Sequence, residues 1–240
     1  MDSKFTKLWH AVRTLNIQEV RSVLQEGVSI NVVNRHGENL LYEAMATNNP
    51  KIIKLLIDVG IDVNRICDGE DLTPLEWAAH MGRLNMAKML IENGAATNSM
   101  IGHWSPLKAA INSQISKYKL EMVKLLVENG ADIFECDADD KTMLMYAAEQ
   151  YNSNVLHFLI EKGLDPQAVD KRGYTAVHYA KLIKMEDNVS ILKHIKIGKT
   201  KSSKASASGE QGHVGQESIS NSLKLKLVDR IIQMVHEKHT

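Results

Sequence analysis

The chain has 240 residues, with 29 Lys and Arg against 29 Asp and Glu and a formal net charge of zero. That balance argues against a strong field toward nucleic acid or membrane. Two cysteines, Cys67 and Cys136, are too few for a disulfide framework or a four-ligand zinc site. Aromatic residues are scarce, at three Phe, six Tyr and three Trp. The remaining apolar palette of Leu, Ile, Val, Ala and Met suits helix packing better than a β-sandwich. No apolar run approaches a membrane span, and residues 1–5 lack the basic-then-apolar layout of a signal peptide. A cytoplasmic, reducing setting is the expectation.

Glycines recur in chain order at Gly27, Gly60, Gly94, Gly130 and Gly163. Their nearly constant spacing is the signature of an internal repeat, with the interval before Gly130 slightly the longest. Each closes an apolar amphipathic stretch, over 20–24, 52–57, 84–91, 120–127 and 155–160. A glycine just past such a stretch is a left-handed helix terminator. Counting back by one fixed offset leads from Gly27 to Thr6, from Gly60 to Asn39, from Gly94 to Thr73 and from Gly163 to Thr142. From Gly130 the equivalent position is Ser105, further back than that offset, so this unit carries four extra residues. The spacing predicts that the extra turn pushes Lys117 and Tyr118 outward and can be deleted at little cost. A sixth unit opens at Thr175. Small pairs follow, at Ala78-Ala79, Ala109-Ala110 and Ala147-Ala148, where helices can approach closely.

These units resemble the ankyrin repeat family. Thr73-Pro74-Leu75-Glu76-Trp77-Ala78-Ala79 and Ser105-Pro106-Leu107-Lys108-Ala109-Ala110 are similar to its opening motif. Gly60-Ile61-Asp62-Val63-Asn64, Gly130-Ala131-Asp132-Ile133 and Gly163-Leu164-Asp165 are similar to its closing phrase. The sequence departs from the pattern at Asn39-Leu40, at Thr142-Met143 and in a degenerate last unit, as a capping repeat should. The resemblance implies an all-α ankyrin-repeat solenoid of helix-turn-helix units with short β-hairpin fingers, over residues 1–197. Its repeats lie near 4–33, 34–66, 67–98, 99–136, 137–169 and 170–197. It also implies a structural role for His178, the motif histidine that bonds the loop backbone.

Residues 198–217, rich in Lys, Ser, Ala and Gly, read as a flexible linker. Beyond it, Ile219, Leu223, Leu227, Ile231 and Val235 predict an amphipathic helix over 218–240. It either folds back on the solenoid or binds a partner. After Ile197 the tail holds 7 Lys and Arg against 4 Asp and Glu.

Residues 137–148 invite a calcium-loop reading and fail it, because Thr142 and Ala148 stand where glycine and glutamate belong. No phosphate-cradling glycine loop and no set of zinc-spaced ligands is present. Neither an enzyme, a metal nor a cofactor is expected.

In such repeats partners are met by the fingers and the adjoining inner-helix face. Finger candidates are Arg35, His36, Glu38, Asp68, Glu70, Asp71, His103, Trp104, Glu135, Asp137, Asp139, Asp140, Arg172 and Tyr174. The helix face offers Trp77, His80, Met81, Gln150 and Tyr151, with groove packing an equal reading of Trp77. Two acidic runs, 68–76 with four acids and 132–140 with five, contain no Lys or Arg. They point to a basic protein partner, held as by an inhibitor or a toxin-neutralising immunity protein. The rival reading is a secreted effector or regulator whose basic tail meets nucleic acid or membrane.

Overall fold

A computed structural model describes residues 3–34, 39–66, 72–98, 105–115, 117–151 and 153–195. The predicted linker and tail helix lie outside these residues. Among the described residues twelve helices follow in pairs: α1 (Ser3–Arg13) and α2 (Ile17–Gln25), α3 (Leu40–Thr47) and α4 (Pro50–Asp58), α5 (Pro74–His80) and α6 (Leu84–Glu92). They continue with α7 (Pro106–Asn112) and α8 (Lys119–Glu128), α9 (Met143–Ala148) and α10 (Ser153–Glu161), α11 (Ala176–Leu182) and α12 (Glu186–His194). α1 packs on α3, α5 to α11 pack on one another through their odd-numbered members, and each even-numbered helix packs against the odd-numbered helix before it. The chain therefore forms the solenoid of helical hairpins that the repeat implies.

The periodic residues act where helices begin and end. Asn39, Thr73, Ser105 and Thr142 are N-caps, each accepting a hydrogen bond from the backbone N–H three residues on. That bond satisfies one of the donors a helix start leaves without a partner. Pro74 and Pro106 occupy the first turn, where no backbone N–H is needed. At Thr175 the backbone N–H donates to His178 Nδ1 at 3.1 Å, so the motif histidine does serve the loop backbone. Gly60 and Gly94 sit at φ +88°, just past α4 and α6. A Cβ added at Gly94 would meet nothing within 4 Å, which leaves backbone strain as the only cost of a side chain. Gly94→Ala is expected to lower stability by about 1 kcal/mol, measured by urea titration.

One continuous core runs through the repeats. Leu75, Leu107 and Leu144 supply it from the inner helices, and Leu56, Leu90, Leu126 and Leu159 from the outer ones. The buried pairs Ala78-Ala79, Ala109-Ala110 and Ala147-Ala148 let α5, α7 and α9 approach. The fingers lie between the helical pairs. Among the described residues two of them show an antiparallel bridge, Val33 with Asn39 and Cys136 with Thr142.

Neighbouring repeats are also stapled by side-chain amides. Asn31 donates to the Gly60 carbonyl and accepts from the Asp62 N–H. Asn64 does the same to Gly94 and Ala96, and Asn98 to Gly130 and Asp132. All three stand at the same offset past a periodic glycine. At the next such position the chain has Phe134, and the ladder stops.

The fourth repeat departs from the sequence expectation. Lys117 and Tyr118 do face outward, the Lys117 ammonium lying 4.9 Å from the Tyr118 ring centre. Lys119 turns inward instead. It is 5% exposed, and its Nζ donates to the Ile111 carbonyl at 3.0 Å and to Gln150 Oε1 at 3.1 Å. The extra turn thus supplies a cation to the C-terminal end of α7, where carbonyls lack helical partners. It is not a dispensable surface loop.

Candidate functional site

Several candidates lie outside the described residues: Arg35, His36, Glu38, Asp68, Glu70, Asp71, His103 and Trp104. The others fall into two groups, one at the fingers before α9 and α11 and one at the inner-to-outer helix turns.

The finger before α9 is acidic in sequence but only partly acidic in presentation. Asp137 points inward, where Oδ2 accepts the Tyr146 hydroxyl at 2.5 Å. Its Oδ1 accepts the N–H groups of Asp139 and Lys141, both at 2.9 Å. Burial opposes ionisation, yet the Tyr146 hydroxyl and those N–H groups hold the carboxyl below its ordinary range. Glu135 accepts the Ser105 hydroxyl. Burial pushes its carboxyl up, against that hydrogen bond. Asp132 accepts the Phe134 N–H at 2.8 Å. Asp139 and Asp140 remain exposed and form no ion pair among the described residues. Lys171 closes over the same finger, with its Nζ on the Ala138 carbonyl at 2.5 Å and its N–H on the Asp139 carbonyl at 3.0 Å. Of the acidic run, Asp139 and Asp140 alone keep carboxylates with no such bond.

The next finger repeats this arrangement one unit further along the chain. Asp170 Oδ2 accepts the Tyr179 hydroxyl at 2.5 Å, and Oδ1 accepts the N–H groups of Arg172 and Tyr174. Arg172 Nη2 donates to the Tyr179 hydroxyl oxygen at 2.6 Å. Burial, followed by the bond to Asp170, pushes the Tyr179 phenol up to about 12. Between the two fingers lies Lys141. Its Nζ stands 4.3 Å from the Tyr146 ring centre and 4.1 Å from that of Tyr179. It also donates to Glu149 Oε1 at 2.8 Å. Lys108 approaches Tyr146 at 4.6 Å, and Arg172 lies 5.5 Å from Tyr174. Cations and aromatic faces thus alternate across repeats four to six, each contact stabilising by about 0.5–2 kcal/mol according to its desolvation. The row fixes the fingers rigidly to the inner helices. Tyr174, with Asp139 and Asp140, forms its solvent-facing rim.

Phe134 is the site residue the sequence reading passed over. It is 66% exposed, in the loop leading to the acidic finger, at the position where earlier repeats place a stapling asparagine. An exposed phenylalanine there gives up the amide bond without gaining burial.

The turn-side candidates divide. Trp77 is buried in the core, 6% exposed, and its ring is packing. Met81 is half-buried against the core. His80 is half-buried, and burial pushes its imidazole down, opposed by a hydrogen bond with the Ala109 backbone and reinforced by the Lys119 charge. Gln150 is occupied with Lys119 and Asn112. Tyr151 is 91% exposed.

Burial lowers the Lys119 ammonium to about 8, well below its unfolded value. Between these two pKa values the unfolded chain binds the additional proton, so raising the pH favours the folded state. Stability should rise on the order of 1 kcal/mol from pH 8 to pH 9.5, after allowance for solvent screening. Lys119→Met should flatten that rise in urea titrations at the two pH values. An identical rise in the variant would assign it to other groups.

Nothing at these fingers resembles a catalytic constellation. Cys136 is free and exposed, and burial together with Asp140, Asp137 and Glu135 pushes its thiol up, which disfavours the nucleophilic thiolate. Among the described residues no group of three or more His, Cys, Asp or Glu is placed to hold a metal. No helix among them is long and apolar enough to cross a membrane.

Comparison with known proteins agrees with the geometry. The family model for ankyrin repeats (three copies) matches residues 8–101, 65–134 and 107–202. The chain belongs to the ankyrin repeat family. Ankyrin repeats are generally non-enzymatic modules that mediate protein–protein interaction. Among its relatives is a transient receptor potential cation channel subfamily A member 1 homolog of Caenorhabditis elegans, 30% identical over 173 residues, covering 71% of this chain and 14% of the channel. An ankyrin repeat protein of Rickettsia bellii is 34% identical over 130 residues, 52% of this chain and 48% of that protein. The palmitoyltransferase AKR1 of Lachancea kluyveri is 27% identical over 156 residues, 65% of this chain and 21% of the enzyme. The chain thus spans less than half the length of each.

Proposed function

We propose that this chain is a non-enzymatic cytoplasmic scaffold that binds a basic protein through the fingers and concave face of repeats four to six. It then acts as an inhibitor by covering the partner's working surface, as an immunity protein covers a toxin. The observation that carries this reading is the exposure of Phe134 in the loop leading to a finger whose Asp139 and Asp140 carboxylates are exposed and form no ion pair among the described residues. An apolar anchor rimmed by charge is the composition of an interface hot spot. Nucleic acid and membrane are not expected partners of this face.

The inward bonds of Asp137 dictate how the reading is tested. Reversing Asp137 would damage the finger, so only Asp139 and Asp140 should be changed to Lys. Affinity capture with the whole chain, followed by binding kinetics on the captured protein, should show slower association and weaker salt dependence for that pair. Phe134→Ser should speed dissociation, weakening affinity by about 2 kcal/mol. Unchanged kinetics in the combined variant would move the interface elsewhere.

A further inference from the structure

Three successive junctions between repeats are closed by one chemical device. The carboxamide of Asn31, Asn64 or Asn98 donates to a glycine carbonyl of the next repeat and accepts the N–H two residues beyond that glycine. At the fourth junction Phe134 holds the asparagine's place and can do neither. The two groups left unserved are the Gly163 carbonyl and the Asp165 N–H. Both residues are exposed, and neither group has a hydrogen-bond partner among the described residues.

The loop nevertheless keeps the shape of the stapled ones. Gly163 has φ +95°, against +90° at Gly130. The N–H groups of Gly163 and Leu164 return to the carbonyls of Ile160 and Leu159, as those of Gly130 and Ala131 return to Val127 and Leu126. Asp165 Oδ1 accepts the Gln167 N–H at 2.8 Å, and Asp132 Oδ1 accepts that of Phe134 at the same distance. The acceptor and donor are therefore presented as at Gly130 and Asp132, where the Asn98 carboxamide binds both. Groups already in place lower the ordering cost of binding.

The pair selects its ligand by chemistry. One acceptor and one donor on the same loop need an N–H and a C=O on a single edge, and a primary carboxamide has both. A trans peptide group points them in opposite directions. A guanidinium only donates, and a carboxylate only accepts. Exposed groups of this kind are hydrated, and a ligand that reproduces the water's bonds keeps their worth when it displaces it. Phe134, 66% exposed on the facing loop, adds apolar surface where the earlier repeats place their asparagine.

We infer, on the finger-face reading above, that the junction of repeats four and five is a carboxamide-recognition site. An Asn or Gln side chain of the protein partner bonds the Gly163 carbonyl and the Asp165 N–H, and so completes from outside the series of Asn31, Asn64 and Asn98.

The test follows the Asp165 amide resonance of the whole isotope-labelled chain during titration with two short peptides. They are alike except that one carries asparagine between two leucines and the other aspartate. The asparagine peptide should shift that resonance saturably, and the aspartate peptide should bind roughly tenfold more weakly. Phe134→Asn should fill the site from within, slowing solvent exchange of the Asp165 N–H and abolishing its response to the peptide. Phe134→Ser removes the ring without supplying an amide, and should leave the resonance responsive. Equal response to both peptides, no saturable response to the asparagine peptide, or an undiminished response in Phe134→Asn would overturn the proposal. Such a failure, with association still slowed by the changes at Asp139 and Asp140, would leave the finger-face reading standing. Unaltered association, with Asp165 still selecting asparagine, would remove that reading and keep the carboxamide site.

Discussion

Replacing Trp77 with alanine is expected to destabilise the chain by about 3–5 kcal/mol, the range for emptying a buried aromatic site. The indole is part of the continuous core, on α5 between the repeats to either side. A solenoid couples mainly nearest neighbours, so a cavity in the third repeat should also weaken the union of the two halves. Urea titration should show a lower midpoint and a broader or split transition. Affinity for a finger-bound partner should survive under conditions where the variant is folded. Lost affinity with an unchanged midpoint would mean that the ring contacts the partner.

Asn188→Ala should cost about 2–3 kcal/mol, for a different reason. The side chain is 2% exposed, and its amide donates to the carbonyls of Ala148 and Gln150, at 2.9 and 2.8 Å. Alanine would leave both carbonyls without that donor. Unfolding should begin locally, because Asn188 ties α12 to the repeat before it and repeats couple mainly to their neighbours. Hydrogen exchange should therefore accelerate across α11 and α12 before α5 and α7 respond. Uniform acceleration along the chain would show that the repeats unfold as one cooperative block.

The solenoid was legible in the sequence because its signals are local and repeated. Thr73, Ser105 and Thr142 announce helix starts through a hydrogen bond spanning three residues, and Gly60 and Gly94 end helices through backbone geometry alone. The site was harder to read because a charged side chain's direction is set by partners distant in sequence. Asp137 reads as one more solvated acid in a charge run until Tyr146 folds back over it. A signal existed, since the separation of Asp137 from Tyr146 is the same as that of Asp170 from Tyr179 in the following repeat. Phe134 likewise breaks the series Asn31, Asn64, Asn98. Lys119 offered no such pattern. A lysine in an insertion reads as exposed, and only the carbonyl end of α7 makes its burial intelligible.

If repeats four to six bind a protein through their finger face, hydrogen exchange on the complex will show it. The whole chain would be followed alone and with its affinity-captured partner. Slowed exchange is expected over residues 134–142 and 169–175, with α4 and α6 unchanged. Protection confined to the outer helices α8 and α10, with those two finger segments exchanging as in the free chain, would contradict it.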